Sequence, residues 1–210
     1  MAQIDFGGIT KHFNAVPGTG WTISATTGTM AAALGSASDV FTMRAYTDTT
    51  KAALVYRMRV QFTTITAFTT PVTAGRRLAL YRFAQPAGAS NGNPSANNTN
   101  IVPLGLNPAD TSSIFTLASA TPNFGSMDIA TTAAMTMGSN MTVAATPLRV
   151  LNLSHVGAAG GNAEADWDFP TPVFLPAGYG LTIRPPANMD AAGTWHLAVT
   201  VSWTEVGTMS

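Results

Sequence analysis

Cysteine and charge are the two features that this sequence has least of. No cysteine is present, and charged residues make up only 10% of the 210 residues. The absence of cysteine excludes a disulfide framework, thiolate catalysis and cysteine-ligated zinc. Soluble domains usually carry about 25% charged residues, and a freely diffusing monomer needs such a surface for solubility. The composition therefore favours a protein whose surface is covered within an assembly.

Clusters of basic residues and long apolar runs are missing as well. Ten Lys and Arg balance ten Asp and Glu, and the N-terminal segment offers only Lys11 and His12 as basic residues. Nucleic-acid binding needs clustered Lys or Arg to neutralise phosphates, so we expect no nucleic-acid partner. No charged leader precedes an apolar core, and no apolar run approaches the roughly 18 residues of a membrane span. We expect neither secretion nor membrane insertion.

Two segments, residues 54–63 and 195–204, alternate apolar and polar side chains, which is the period of a half-buried β-strand. The apolar face of the first segment is predicted to carry Leu54, Tyr56, Met58, Val60 and Phe62. The second segment has Trp195 and Trp203 on its apolar face. We expect both tryptophans to fill the core, since large aromatic side chains on such a face contribute most by burial.

Shorter strands are predicted elsewhere, separated by residues that favour turns. Their positions are 21–25 after a turn at Pro17–Gly20, then 41–46, 76–83, 148–153, 173–175 and 181–184. The sequence between residues 107 and 145 predicts no clear secondary structure, and a short helix capped by Asp110 or Thr111 stays open there. The count of eight or nine strands without a long amphipathic helix predicts an all-β chain, an antiparallel β-sandwich of jelly-roll type.

We divide the chain into an N-terminal arm at residues 1–20 and a single sandwich domain at 21–210, with an exposed loop at 84–103. Residues 84–100 read AQPAGASNGNPSANNTN and contain almost nothing that a core would accept. Such a segment loses conformational entropy on ordering without burial to offset it. The loop is either a tolerated insertion at one end of the sandwich or a contact loop that orders against a neighbouring subunit.

The densest acidic segment, Glu164–Asp168, carries three carboxylates at alternate positions. If the segment is extended, the carboxylates point the same way, which leaves a calcium site open. The simpler interpretation is a solvated loop that flanks a buried Trp167.

Catalytic patterns are absent from the sequence. The histidines at 12, 155 and 196 lie far apart, and Ser154 and His155 would point to opposite faces of a strand. No nucleophile elbow, phosphate-binding loop or dinucleotide fingerprint occurs. We therefore expect no enzyme activity, no catalytic residue, no cofactor and no metal site.

The C-terminal third of the chain contains PVFLPAGYGLTIRPP followed by AGTWHLAVTVSWTEV. The connection L-P-A-G-x-G-L at Leu175–Leu181 and the final strand W-x-L-x-V-x-V-x-W resemble the closing strands of small virion proteins of tailed bacteriophages, including jelly-roll decoration (cement) proteins. The resemblance covers roughly forty residues.

That resemblance implies a non-enzymatic protein on the outer surface of a phage capsid, which fastens subunits of the major capsid protein by binding only their assembled state. It further implies a homo-oligomer, with a trimer favoured. Arginines on the polar face of the strand at 54–63 are expected to meet carboxylates across an interface or on a neighbouring strand. The candidate interface residues are Ile4, Phe6, Ile9, Phe13, Arg57, Arg59, Asn91, Asn93 and Asn97.

Two other classes of function stay open. A tail or fibre module that binds a host carbohydrate would expose Trp21, Trp167 or Tyr179 as a stacking platform. A hydrolase would need a polar cleft around the acidic segment or His155, and it ranks third.

Overall fold

A computed structural model of the chain describes residues 2–6, 9–13, 15–31, 33–36, 38–45, 51–69, 76–84, 100–103, 126–130, 134, 142–189 and 192–207. These residues form strands and no helix, which confirms the all-β prediction. The strands are β1 (Ala2–Phe6), β2 (Ile9–Phe13), β3 (Ala15–Thr26), β4 (Met30–Ala31), β5 (Phe41–Arg44), β6 (Lys51–Thr66), β7 (Arg77–Ala84), β8 (Asn100–Pro103), β9 (Ser126–Ile129), β10 (Thr142–Val143), β11 (Arg149–Asn152), β12 (Asn162–Leu175), β13 (Tyr179–Arg184) and β14 (Thr194–Gly207). No helix of the described residues is long and apolar enough to span a membrane.

Two six-stranded antiparallel sheets and one separate hairpin hold these strands. The front sheet has the order β12-β6-β14-β3-β8, and β4 also pairs with β14. The back sheet has the order β10-β7-β13-β5-β9, and β11 also pairs with β7. Strands β1 and β2 form a two-stranded sheet of their own.

One hydrophobic core joins the facing sides of the two sheets. Trp195 and Trp203 of β14 are fully buried in it, as predicted. The Trp195 ring stacks on Phe62 with 5.1 Å between ring centroids, while the back sheet contributes Phe41 and Ile183. Burying aromatic and β-branched side chains at alternate strand positions is what removes the two inner faces from water.

The alternation in β6 is interrupted by a β-bulge at Tyr56. Residues 202 and 203 of β14 are consecutive, but their partners in β6 are separated by Tyr56. As a result Val55 joins the main core, whereas Leu54 belongs to a separate buried cluster. The prediction that Leu54 shares a face with Met58 is wrong, because one extra residue reverses the face of every residue before it.

The predicted turn at Pro17–Gly20 lies within the bounds of β3, at an irregularity in its pairing with β14: Gly20 pairs with Thr204 and Ala15 with Val206, and residues 16–19 have no register partner in β14. Strand β14 continues to Gly207 and pairs with β3 as far as the partners Val206 and Ala15. The strand thus continues on both sides of the Pro-Gly segment, and the extra residues form a bulge opposite β14. Of the predicted arm, residues 2–13 contain the separate hairpin and residues 15–20 belong to the front sheet.

Other predicted boundaries lie near or beyond the described residues. Strand β7 ends at Ala84 and β8 occupies Asn100–Pro103, so the last part of the predicted loop is a strand. Residues 85–99 lie outside the described residues, as do Asp110 and Thr111, where a helix cap was considered. The described part of the chain holds fourteen strands rather than eight or nine, because several are only two to four residues long.

The face of the back sheet that points away from the core is buried too. Tyr81 and Thr42 pair with Thr182 on this face, and all three are less than 8% exposed. Burial raises the pKa of Tyr81 and lowers the pKa of Arg44 to about 10. A sheet that is covered on both faces explains why the residues of β5 are uniformly buried instead of alternating.

The connection at Leu175–Leu181 contains two positions that favour glycine, each for a different structural reason. Gly178 has a φ of 77°, which favours glycine. Gly180 lies between neighbouring strands, and a Cβ added there would stand 2.3 Å from the carbonyl oxygen of Met43 and 2.3 Å from the ring of Phe83. The glycines thus form a tight turn followed by a close approach of backbones.

Replacing Gly180 with alanine is expected to destabilise the fold by about 1–3 kcal/mol, since the neighbouring strand must move to admit a methyl group. Urea denaturation followed by tryptophan fluorescence measures the change. Gly35→Ala is the matched control, because the nearest atoms to its added Cβ are 3.7 Å away. Equal midpoints for the two variants would contradict the close approach.

Candidate interaction surface

The outer face of the front sheet carries a row of charged side chains where β6 and β12 run side by side. Because side chains alternate along a strand, the outward residues of each strand form a column. In register, residue 57 pairs with 168, 59 with 166, and 61 with 164. We call this set the charge ladder, and its members are Arg57, Arg59, Gln61, Glu164, Asp166 and Asp168.

Ion pairs run diagonally across the charge ladder. The Arg57 guanidinium donates two hydrogen bonds to Asp166, with Nε–Oδ1 and Nη2–Oδ2 distances of 2.9 and 2.5 Å. Arg59 Nε donates to Glu164 Oε1 over 2.6 Å, and Gln61 Nε2 donates to Oε2 of the same carboxylate over 3.0 Å. The arginines therefore meet carboxylates of the neighbouring strand, one of the two arrangements predicted for them.

Much of the charge ladder stays in water. The exposed side-chain fractions are 50% for Arg57 and 72% for Asp168, whose Oδ1 lies 3.5 Å from Arg57 Nε. Exposed ion pairs of this kind add little to stability. The ladder nevertheless holds five of the 20 charged residues of the chain. A quarter of the charged residues of this sequence therefore lies on one surface of the front sheet.

The segment Glu164–Asp168 is part of strand β12 and not a solvated loop, so that interpretation is wrong. Its extended backbone does point the three carboxylates to one side, and Trp167 is buried as predicted. Arg57 and Arg59 engage two of the carboxylates, which weakens the calcium interpretation. Among the described residues, no group of three or more His, Asp or Glu side chains is arranged to hold a metal ion.

The ion pairs shift the acid–base equilibria of their members. Hydrogen bonds from Gln61 and then Arg59 lower the pKa of Glu164, and the hydrogen bond from Arg57 lowers the pKa of Asp166. The same bond to Asp166 raises the pKa of Arg57. A carboxyl whose pKa falls on folding stabilises the fold above its unfolded pKa, and this contribution is lost as pH drops through the folded value.

Carboxyl-carbon NMR titrations are therefore expected to give lower midpoints for Glu164 and Asp166 in the folded chain than in the urea-unfolded chain. The difference appears around and below about pH 4, where carboxyls titrate. Arg57→Gln should raise the midpoint of Asp166, and Arg59→Gln that of Glu164. Unchanged midpoints in both variants would show that the ion pairs do not persist in solution.

A shallow polar depression adjoins the ladder on the same face. Its volume is about 310 Å³, and residues of β6, β12 and β14 line it. The lining residues are Gln61, Phe62, Thr63, Asn162, Ala163, Glu164, His196 and Ala198.

The remaining candidate interface residues fall into two groups. In the register of the β1–β2 hairpin, Phe6 pairs with Ile9, Ile4 with Lys11, and Phe13 with Ala2. Since paired residues and every second residue share a face, Ile4, Phe6, Ile9 and Phe13 all fall on the same face of the hairpin, and Ala2 and Lys11 share it. The candidates Asn91, Asn93 and Asn97 lie outside the described residues.

The aromatic platform expected for a carbohydrate-binding module does not form from the two tryptophans. Trp21 is 2% exposed and Trp167 is 6% exposed. Tyr179 is 37% exposed, and the guanidinium carbon of Arg82 lies 4.6 Å from its ring centroid. His155, considered for a hydrolase, lies in an exposed turn after β11.

The sequence alone missed the pairing of the arginines with Glu164 and Asp166. The signal that could have found it is the alternation of three acids with Ala165 and Trp167, which matches the alternation of arginines in β6. Comparison of the sequence with protein-family models gives no match, and comparison with curated proteins gives none either.

Proposed function

We propose that the chain is a non-enzymatic structural protein of a tailed-bacteriophage virion, a decoration protein on the outer surface of the capsid whose partner is the assembled major capsid lattice. The observation that carries this proposal is the N-terminal hairpin. It forms a sheet of its own, and its register assigns Ile4, Phe6, Ile9 and Phe13 to one face together with Ala2 and Lys11.

A two-stranded hairpin has little stability by itself in water, because it buries too little apolar surface. The opposite face of the hairpin carries the polar residues Gln3, Asp5, Thr10 and His12. A hairpin of this amphipathic kind gains most when its apolar face is laid on another surface. A neighbouring subunit of a lattice supplies such a surface.

The strand order supports a jelly-roll topology, the architecture of many capsid and lectin domains. Strands β3, β14, β6 and β12 lie together in one sheet, and β5, β13, β7 and β11 lie together in the other. The chain passes between the two sets as it runs from β3 to β14, as the resemblance of the C-terminal strands implies. The shortage of charge likewise favours a protein that is covered by neighbours.

The mechanism proposed is linkage: a protein that binds the assembled lattice and not the free capsid subunit stabilises the assembly. A homo-oligomer, with a trimer favoured, would attach through several hairpins at once, so that the effective concentration of the later contacts raises the overall affinity. No chemical step is needed for this activity.

Co-sedimentation of the purified chain with bare shells of the phage that encodes it tests the proposal. We expect saturable binding to assembled shells and none to free major capsid subunits. Absence of binding to shells, or equal binding to free subunits, would overturn the proposal.

A further inference from the structure

We propose that the charge ladder is a docking surface for a second copy of this chain, with the two front sheets facing each other around a two-fold axis. This interface goes beyond the proposed function, since it would form in solution without a capsid and joins copies in pairs, separately from the contacts of the favoured trimer. Three features of the charge ladder support this interface: the order of its charges on the sheet, the space around them and their exposure.

The charge ladder is complementary to itself. Its basic column lies on β6 and its acidic column lies on β12, and the two strands are direct neighbours. A two-fold axis that runs between the columns, parallel to the strands, lays the basic column of each copy over the acidic column of the other. Such isologous contacts are the usual basis of closed dimers.

The strand register fixes which residues meet. Rotation about an axis parallel to the strands keeps each residue at its height along the sheet. Residue 57 stands at the height of 168, and residue 59 at the height of 166. Arg57 therefore faces Asp168 of the second copy, and Arg59 faces Asp166 of the second copy.

The groups that meet have bonding capacity left. A guanidinium carries five N–H donors and a carboxylate accepts about four hydrogen bonds. Arg57 uses two donors on Asp166, and its contact with Asp168 is long, at 3.5 Å. Asp168 is 72% exposed, the largest exposed fraction among the carboxylates of the ladder's ion pairs. It is the carboxylate with the most to gain from a second arginine.

The surroundings of the ladder leave room for another copy. On β14 and β3 the outer face carries small hydroxyl side chains that bond to each other, Thr200 with Ser24 over 2.9 Å and Ser202 with Thr22 over 3.2 Å. These short side chains project less far from the outer face of the sheet than the arginines of β6 do. On the other side, β12 ends the front sheet within the described part of the chain. Among the described residues, the longer neighbours of the ladder are His196 of β14, at the Gln61–Glu164 end, and Arg149, which donates to the Asp168 carbonyl over 3.4 Å.

The balance of charge favours a second copy over a partner of one sign. The ladder holds two positive and three negative side chains in separate columns. A uniformly acidic or basic surface would be repelled by one column while it bound the other. A copy of the same surface satisfies both columns at once.

Two charge-reversed chains test this interface. R57E/R59E makes the ladder entirely acidic, and E164K/D166K/D168K makes it entirely basic. Sedimentation velocity at about 50 mM salt is expected to show that the wild-type chain associates, that each variant loses this step, and that an equimolar mixture of the two variants regains it. Raising the salt to about 1 M should weaken the wild-type association at least tenfold, since charges are screened within about 3 Å there.

The control is Arg77→Glu, which reverses an exposed arginine of β7 in the back sheet. It should associate like the wild-type chain, and all variants should keep the wild-type circular dichroism spectrum and thermal midpoint within a few degrees. Wild-type chains that do not associate, charge-reversed chains that associate as strongly as the wild type, or a mixture that fails to associate would each overturn the proposal.

A chain that lacks residues 2–13 separates this inference from the proposed function. Association through the ladder should persist in it while shell binding is lost. If association disappears with the hairpin, the ladder is not the docking surface.

Discussion

Replacing Asp39 with asparagine is expected to lower the free energy of unfolding by about 3–5 kcal/mol, the usual cost of removing one member of a buried ion pair. Asp39 is 0% exposed, and its two carboxylate oxygens each accept a hydrogen bond of 2.9 Å from Arg184. The Thr182 hydroxyl also donates to Asp39. The substitution leaves the guanidinium of Arg184, which is only 15% exposed, without its counter-charge.

Urea denaturation at neutral pH measures this effect. The double variant D39N/R184M is the informative comparison, because it removes both charges and leaves none uncompensated. We expect the double variant to be more stable than D39N. A loss below about 1 kcal/mol for D39N would contradict the assignment of this pair to the structural interior.

Deleting residues 2–13 is expected to abolish attachment to bare shells while the two six-stranded sheets stay folded. Strand β3 begins at Ala15, so the deletion removes the hairpin and leaves the backbone pairing between β3 and β14 intact. Shell binding is measured by co-sedimentation, and folding by the thermal midpoint and near-ultraviolet circular dichroism. Undiminished attachment of the shortened chain would remove the hairpin from the mechanism.

Substitutions within the hairpin sharpen that test. F6S/F13S changes the apolar face, whereas Q3N/T10S changes the opposite face with little loss of volume. Burial of a phenylalanine contributes about 1.5–3 kcal/mol, so loss of both should weaken attachment more than a hundredfold. The second variant should bind like the wild type. Equal effects of the two variants would show that the face assigned to the interface is wrong.

The long strands were predictable because their periodicity is local. Strand β14 alternates from Trp195 to Trp203, and both tryptophans lie in the core as that pattern predicts. The bulge in β6 was not predictable, since Tyr56 is apolar enough to continue the alternation. Only pairing with β14 reveals the extra residue. Register between distant strands carries information that a single strand does not.

The charge ladder was predictable only within each strand, because the periodicity is local and the pairing between strands is not. The alternation within β6 assigns Arg57 and Arg59 to one face, and the alternation of acids in residues 164–168 does the same for β12. That these strands are neighbours depends on pairing between segments about a hundred residues apart. The pairing of Asp39 with Arg184 has no local signal at all, because Asp39 precedes a short strand and Arg184 ends a distant one.

The most direct test of the proposed structural role is the number of copies of this chain in purified particles of the phage that the proposal assigns it to, measured by quantitative mass spectrometry against the major capsid protein. A decoration protein that covers the capsid lattice predicts a fixed small-integer ratio between the two proteins in every preparation. Absence from purified particles, or only a few copies per particle as for a tail component, would contradict the proposed role on the capsid surface.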